Sequence, residues 1–437
     1  MPGWRKLGAR LQLNDHGRLD IHIPSEFTPE RPAIRFSLET HEFERAEHAI
    51  ASQLGDKNKS NGISAVPDQL KSILYSADTP TTLTEFLQAD CHCLGLHVVR
   101  FTDATLVTIN WPHVLFDTMA LADILHAWTL MLRGHGDKIQ MPSWFDSDPL
   151  ASLGVSCETP HKLADYRLSL PSLASFGVRS ALRFLCSKIE HRMVYIPAWY
   201  LQSIRETALR DLKLMEPGQA MPFLSDGDVL CAWWARHSVR HLDKHKQHGK
   251  TVVISNAMSI RPVLVKDILP PGQPFIANST AIITTLMKLE DVTDQPLMNA
   301  ANKVRHSIIK LRSREQVEAY AALQSSSWKR VAPLFGDHKM HAIMVSNWSK
   351  AKLFDMDFSG ALFDIAETRL RQSRTRVKPA FIQSHFAGGD FVEVVVVIGK
   401  DADGGYWLNC STNANRWQDI AAAMAEELKP PLDSTST

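Results

Sequence analysis

The sequence predicts a mixed α/β fold. An alternating, β-branched run at 105–110 (Thr-Leu-Val-Thr-Ile-Asn) reads as a strand. Nine residues on, Met119, Ala122, Ile124, Leu125, Trp128, Met131 and Leu132 recur at helical spacing, with Gly134 placed to close the helix. The same exchange of strand runs for amphipathic helices repeats through the second half of the chain. At 437 residues and 44% hydrophobic composition, the chain is long enough for two or three domain-sized units around large cores.

The elements follow in order. Residues 10–24 form a short strand region, then come loops around Pro24, Pro29 and Pro32 and a strand at 33–38. Residues 43–54 read as an amphipathic helix ended by Gly55, and 56–62 (DKNKSNG) as a surface loop. Helical signals return at 68–74 and 81–87. Runs at 91–101 and 105–111 make a hairpin around 102–104. Cys91-His92-Cys93 does not read as a metal site, because a strand sends the two cysteines to one face and the histidine to the other. Residues 134–171 are rich in Pro, Ser, Gly and Asp, a long connection of the kind that joins domains or lines a site.

A helical patch at 178–190, a strand at 193–197 and a helix at 198–212 open the second half. Ser225 with Asp228 resembles a capping box ahead of a helix at 229–242. That helix would carry His237, His241 and His245 on one face, with His248 beyond, and the surrounding Lys and Arg favour a solvated helix end over a zinc site. Strands are expected at 251–255, 281–286, 341–346, 391–398 and 406–410, and helices at 297–312, 316–324 and 417–428. The tail at 429–437 has the composition of a disordered end.

Composition excludes several roles. A net charge of +1 supplies no electrostatic footprint for nucleic acid, and transcriptional regulation is the least supported reading. The N-terminus lacks the apolar core of a signal peptide, and no apolar run approaches membrane-spanning length. The six scattered cysteines read as reduced, buried thiols of a cytoplasmic protein.

The stretch Trp111-Pro112-His113-Val114-Leu115-Phe116-Asp117 sits where the strand ends and the helix is about to begin. Such loops commonly expose catalytic groups, and a neutral imidazole there can take a proton near pH 7. The alternative is a hydrogen-bonded structural histidine, with Asp117 as a helix N-cap.

Four ordered landmarks add context: His113-x-x-x-Asp117 with Ala127-Trp128 on the helix behind it; Asp228-Val229-Leu230-Cys231-Ala232-Trp233; Arg261-Pro262 leading through Leu269-Pro270 to Asn278; and Ser346-Asn347-Trp348-Ser349 running on to Asp357-Phe358. Together they resemble the BAHD superfamily of CoA-dependent acyltransferases, closest to its members in fungal secondary metabolism, over roughly residues 30–428.

The resemblance implies two chloramphenicol acetyltransferase-like domains of mixed sheets and helices. It divides the chain into 1–190, with HxxxD motif and crossover (about 134–190), and 191–437. It also implies a monomer acting on a small-molecule acceptor, with acyl-CoA, most simply acetyl-CoA, as co-substrate and no metal, nucleic acid or membrane partner. His113 resembles the general base. Asp117 resembles the acid that turns away to pair with Arg261. Ser346 and Trp348 match donors facing the reacting carbonyl, Asp357 a structural segment, and Asn278 the cofactor side.

Thr118, Ala277 and the segment Asp357-Phe358-Ser359-Gly360-Ala361 depart from the family pattern, which puts local packing and CoA fit in question. N-acylation, a CoA-independent condensation, cyclisation or isomerisation, and a non-catalytic ligand-binding member remain as alternatives. A condensation-domain relative is disfavoured because Pro112 stands where that group has a second histidine.

Overall fold

In a computed structural model the described residues are 3–55, 62–67, 69–143, 147–215, 222–265, 267–327, 331–362, 376–386 and 393–429. Strands β1 (Arg10–Leu13) and β2 (Leu19–His22) pair antiparallel. A three-stranded sheet follows in the order β3 (Arg35–Thr40), β5 (Gly95–Arg100), β6 (Thr105–Asn110). β3 runs parallel to β5, and β5 and β6 form the expected hairpin.

The larger sheet has seven strands. Its order is β4 (Ile63–Ala65), β7 (Ile189–Ile196), β12 (Tyr406–Asn413), β11 (Glu393–Lys400), β10 (His341–Asn347), β8 (Thr251–Ser259), β9 (Thr280–Lys288). β8, β10 and β11 form a parallel centre, flanked by antiparallel β9 on one side and by β12 and β7 on the other. β4 lies far upstream of the rest of this sheet, yet it pairs with β7 and so ties the first half of the chain to the second.

The helices are α1 (Lys71–Leu74), α2 (Leu83–Phe86), α3 (Thr118–Leu132), α4 (Leu170–Cys186), α5 (Ala198–Met215), α6 (Asp226–Ser238), α7 (Arg261–Leu264), α8 (Leu289–Thr293), α9 (Leu297–Leu311), α10 (Arg314–Ser325) and α11 (Trp417–Glu427). The main core lies where α5, α6, α9 and α11 cover the large sheet, and its apolar residues include Val194, Leu230, Trp234, Ile254, Val345, Leu408 and Trp417. The Ser225 capping box forms as read: Ser225 Oγ accepts from the Asp228 amide and Asp228 reaches back to the Ser225 amide. Asp228, almost fully buried, also pairs with Arg305.

Several expectations are corrected. Residues 43–54 form two 3-10 turns, Arg45–Glu47 and Ala51–Gln53, because the His48 imidazole accepts the amides of Ile50 and Ala51 and interrupts the ladder. α4 starts at Leu170, eight residues earlier than the periodicity suggested, since Ser169 caps it and Pro171 suits a first turn. Residues 189–190 belong to β7, not to the helix.

α6 ends at Ser238, so His237, His241 and His245 do not share a helix face. His237 is buried and faces Glu427 at 3.2 Å, whereas His241, His245 and His248 beyond it are exposed, as a solvated end requires. Cys91, His92 and Cys93 precede β5 rather than lying on a strand, so the alternation argument does not apply to them. The described cysteines are free, with Cys93, Cys231 and Cys410 buried but Cys91 and Cys157 half-buried. The expected loop at 56–62 and the tail lie almost wholly outside the described residues, as does the start of the strand expected at 391–398.

The connection from Gly134 drapes over the second half. The Ser143 amide donates to the Pro274 carbonyl, Lys162 to the Gln316 side chain, and Arg167 bridges to Phe335.

Candidate active site

The strand–loop–helix unit forms as its residues dictate. β6 ends at Asn110, the chain turns through His113-Val114-Leu115, and α3 begins at Thr118. Inside the loop the Trp111 indole N–H donates to the Phe116 carbonyl at 3.0 Å, and the two rings stack at 5.3 Å. Leu115 and Phe116 are buried while His113 and Val114 face outward. Burying Leu115 and Phe116 thus presents His113 outward. No described residue hydrogen-bonds the His113 imidazole.

Asp117 performs two tasks with two oxygens. Its Oδ1 accepts the amides of Met119 and Ala120, both at 3.1 Å, and caps α3. Its Oδ2 accepts from Arg261 Nη1 at 2.8 Å, the Ser279 amide at 2.8 Å and Thr280 Oγ1 at 3.3 Å. Burial pushes the carboxyl's pKa up, but the Arg261 hydrogen bond and charge and the amide donors outweigh it, so Asp117 lies below the usual range. Thr118 takes the first helical position, where a glycine has no conformational advantage.

Arg261 is equally committed. Beyond Asp117 it donates to the carbonyls of Phe275 and Ala277, at 3.1 and 2.6 Å. The Asn278 amide nitrogen donates to the carbonyls of His113 at 2.8 Å and Val114 at 3.2 Å. The resemblance makes Asn278 a cofactor-binding residue; in the structure its nitrogen faces the histidine loop. No local signal announced this, because the partners lie 165 positions apart.

The large sheet brings the remaining landmark to the same edge. β8 and β10 are parallel, so Arg261, just after β8, and Trp348, just after β10, leave the sheet at the same end. Ligands favour the carboxyl ends of parallel strands. Ser346 pairs with Ala257, two residues before Ser259, whose hydroxyl accepts from Arg261 at 3.4 Å. By sheet geometry the Cα atoms of Ser346 and Ser259 are then about 8 Å apart. Leu115, Phe116, Ile276 and Ala351 share one apolar cluster against which Trp111 and Trp348 pack, joining the histidine loop to the end of β10.

The two expected carbonyl-facing donors are not equivalent. The Trp348 indole N–H donates to Ser346 Oγ at 2.9 Å, so it orients the serine and leaves the hydroxyl proton to point elsewhere.

Asp357 sits at the far end of α3. It pairs with Arg133 at 3.2 Å and accepts the Ser359 amide. Burial pushes its pKa up, and these hydrogen bonds with the Arg133 charge carry it below the usual value. Phe358 meets Trp128 edge-on at 5.5 Å, and a Cβ on Gly360 would lie 2.3 Å from the Leu132 carbonyl oxygen. The altered segment packs on α3 through Phe358 and Gly360.

Among the described residues no group of His, Cys, Asp and Glu is placed to hold a metal ion, and no helix is long and apolar enough to cross a membrane.

No family model matches the chain. The chain is 35% identical over 439 residues to "Transcriptional regulator calD" of Penicillium decumbens, covering 98% of this chain and 87% of that protein. It is 32% identical over 435 residues to "Acetyltransferase adrJ" of Penicillium rubens, covering 96% and 86%. Its fold matches TRI101 of F. graminearum, solved with coenzyme A and T-2 mycotoxin, at a TM-score of 0.67 and 13% identity over 95% of this chain and 85% of that one. Similarity to a fungal acetyltransferase over 96% of this chain, together with this mixed α/β fold, places the chain in the BAHD-type superfamily of CoA-dependent acyltransferases, in its fungal secondary-metabolism branch.

Proposed function

We propose that the protein transfers an acyl group, acetyl in the simplest case, from acyl-CoA to a hydroxyl of a small apolar metabolite, with His113 as general base. The observation that carries this reading is an outward-facing imidazole with no hydrogen-bond partner among the described residues, held on a loop pinned to the carboxyl edge of the large sheet. A histidine kept for structure would be buried and bonded, as His237 is.

The steps follow from these groups. The imidazole takes the proton of the acceptor hydroxyl as its oxygen attacks the thioester carbonyl. The carbonyl becomes an oxyanion, which the Ser346 hydroxyl stabilises by donating a hydrogen bond. When the C–S bond breaks, the imidazolium returns its proton to the departing thiolate. No bond to the protein forms; both substrates need only be held together. Asp117 does not relay the proton, since its oxygens are engaged with Arg261 and with backbone amides. Similarity to adrJ, named an acetyltransferase, supports the acetyl donor. The calD name, a transcriptional regulator, supports a rival outside the enzymes, a role in regulating transcription.

Free-thiol release from acetyl-CoA, measured with a panel of hydroxylated terpenoids and polyketides, tests the reading. Acceptor-dependent release should fall about 10²- to 10⁴-fold in His113→Ala. Equal rates in wild type and variant would overturn the base assignment. Silence in both, with no acetyl-CoA binding by calorimetry, would favour the non-catalytic reading.

A further inference from the structure

We propose that Asn278 is the positioning residue for the His113 base, setting the place of the imidazole through the main chain rather than binding the cofactor. This inference rests on the reading of His113 as base.

A catalytic histidine commonly takes its orientation from an acid on its second ring nitrogen. Here no described residue bonds the imidazole, and Asp117 is turned to Arg261. The ring's place is therefore set by the backbone of residues 113–114. Both carbonyls of that dipeptide accept from one group, Asn278 Nδ2, at 2.8 and 3.2 Å. A primary amide carries two hydrogens, which matches two acceptors.

The other end of the strut is equally fixed. The carbonyls of Phe275, Ile276 and Ala277 each accept from a cation: Arg261, Lys6 at 2.6 Å, and Arg261 again. Residue 279 then closes the segment in both directions. Its amide donates to Asp117 Oδ2 at 2.8 Å and its carbonyl accepts from the Ile260 amide at 2.9 Å. Asn278 is thus mounted on a segment whose carbonyls and amides are held on either side. The mount thus grips the histidine loop at two places three and four residues apart, through Asn278 at residues 113 and 114 and through the Ser279 amide at Asp117. Lys6, from the first described turn of the chain, joins the mount to the N-terminal segment.

The test compares steady-state kinetics of wild type, Asn278→Ala, Asn278→Asp and His113→Ala, alongside acetyl-CoA binding by calorimetry. A misplaced base costs on the order of 10- to 100-fold, so Asn278→Ala should lose that much kcat while KM and Kd for acetyl-CoA stay unchanged. Asn278→Asp keeps the side chain's shape. Protonated, its carboxyl donates to the loop; ionised, it repels both carbonyls. Its kcat should therefore approach wild type at the acid end and fall as pH rises, opposite to the rising limb of a histidine base.

Wild-type kcat in both Asn278 variants beside an inactive His113→Ala would overturn the positioning role and leave the base intact. Raised KM and Kd for acetyl-CoA at unchanged kcat would make Asn278 a cofactor ligand instead. An active His113→Ala would instead overturn the underlying base reading. If Asn278→Ala melts early, Asn278→Asp still decides, because a rate that fails to recover at acid pH overturns the proposal.

Discussion

Asp117 illustrates how one side chain can hold a loop and a helix in place through both of its oxygens. It is 7% exposed, caps α3 with one oxygen and receives Arg261 on the other. Breaking a buried pair by removing one partner leaves an uncompensated charge, at a cost of about 3–5 kcal/mol. Arg261→Met should therefore lower the denaturant midpoint by that equivalent, and activity should fall with it; a variant as stable as wild type would show that the pair is not structural. Ser346 and Trp348 make a contrasting case. Ser346→Ala removes the proposed oxyanion donor and should cost about 10²–10³ in kcat. Trp348→Phe keeps the ring in its apolar cluster but removes the N–H that aims the hydroxyl, and should cost roughly tenfold, since it removes orientation rather than the donor. Equal losses in the two variants would argue that the indole itself meets the substrate.

Helix α3 shows how an element carries its two ends. Its N-terminus is tied to the second half through Asp117, and its C-terminus through Arg133 to Asp357 and through Trp128 to Phe358. Between them Leu121, Ile124, Leu125 and Leu130 are buried. The close approach of Gly360 to the Leu132 carbonyl makes that end intolerant of a side chain. Gly360→Ala forces a backbone shift and should destabilise by about 1–3 kcal/mol in a thermal or denaturant melt. A melt at the wild-type temperature would mean that the 359–361 turn swings away at little cost.

Across the molecule, the C-terminal helix α11 is locked down by one carboxylate. Glu427 Oε2 accepts from Tyr200 at 2.6 Å, Trp233 at 2.9 Å and His237 at 3.2 Å, joining α11 to α5 and α6. Burial alone would raise its pKa, but the His237 hydrogen bond and charge, helped by Tyr200 and Trp233, bring it down to about 2. A depressed carboxylate adds stability that is fully present above its unfolded pKa of about 4.3 and is lost as pH falls toward 2. Wild type should lose stability across that window, and Glu427→Gln should flatten the loss while melting lower at pH 7. An unchanged acid limb in the variant would remove Glu427 from the account.

The part of the site legible in the sequence is the part made of near neighbours. The strand at 105–110, the helix behind it, the Asp117 cap and the Ser225–Asp228 capping box each depend on residues within a turn or two, so periodicity and cap chemistry reveal them. The same local signals failed at 43–54, where a histidine side chain captured the amides that a helix would have used. They also failed at His237, whose charged neighbours in sequence suggested solvent while its neighbours in space are Trp233 and Glu427.

Pairing of Asp117 with Arg261 spans 144 positions and was inferable only by resemblance. The Asn278 grip on the histidine loop, the direction of the Trp348 indole and the entry of β4 into the large sheet had no sequence signal at all. Local backbone preference determines which segments become strands and helices, and hence that His113 lies on an exposed loop. Which distant carbonyl or carboxylate a donor meets is decided only when the distant segments pack together, because that geometry does not exist in either segment alone.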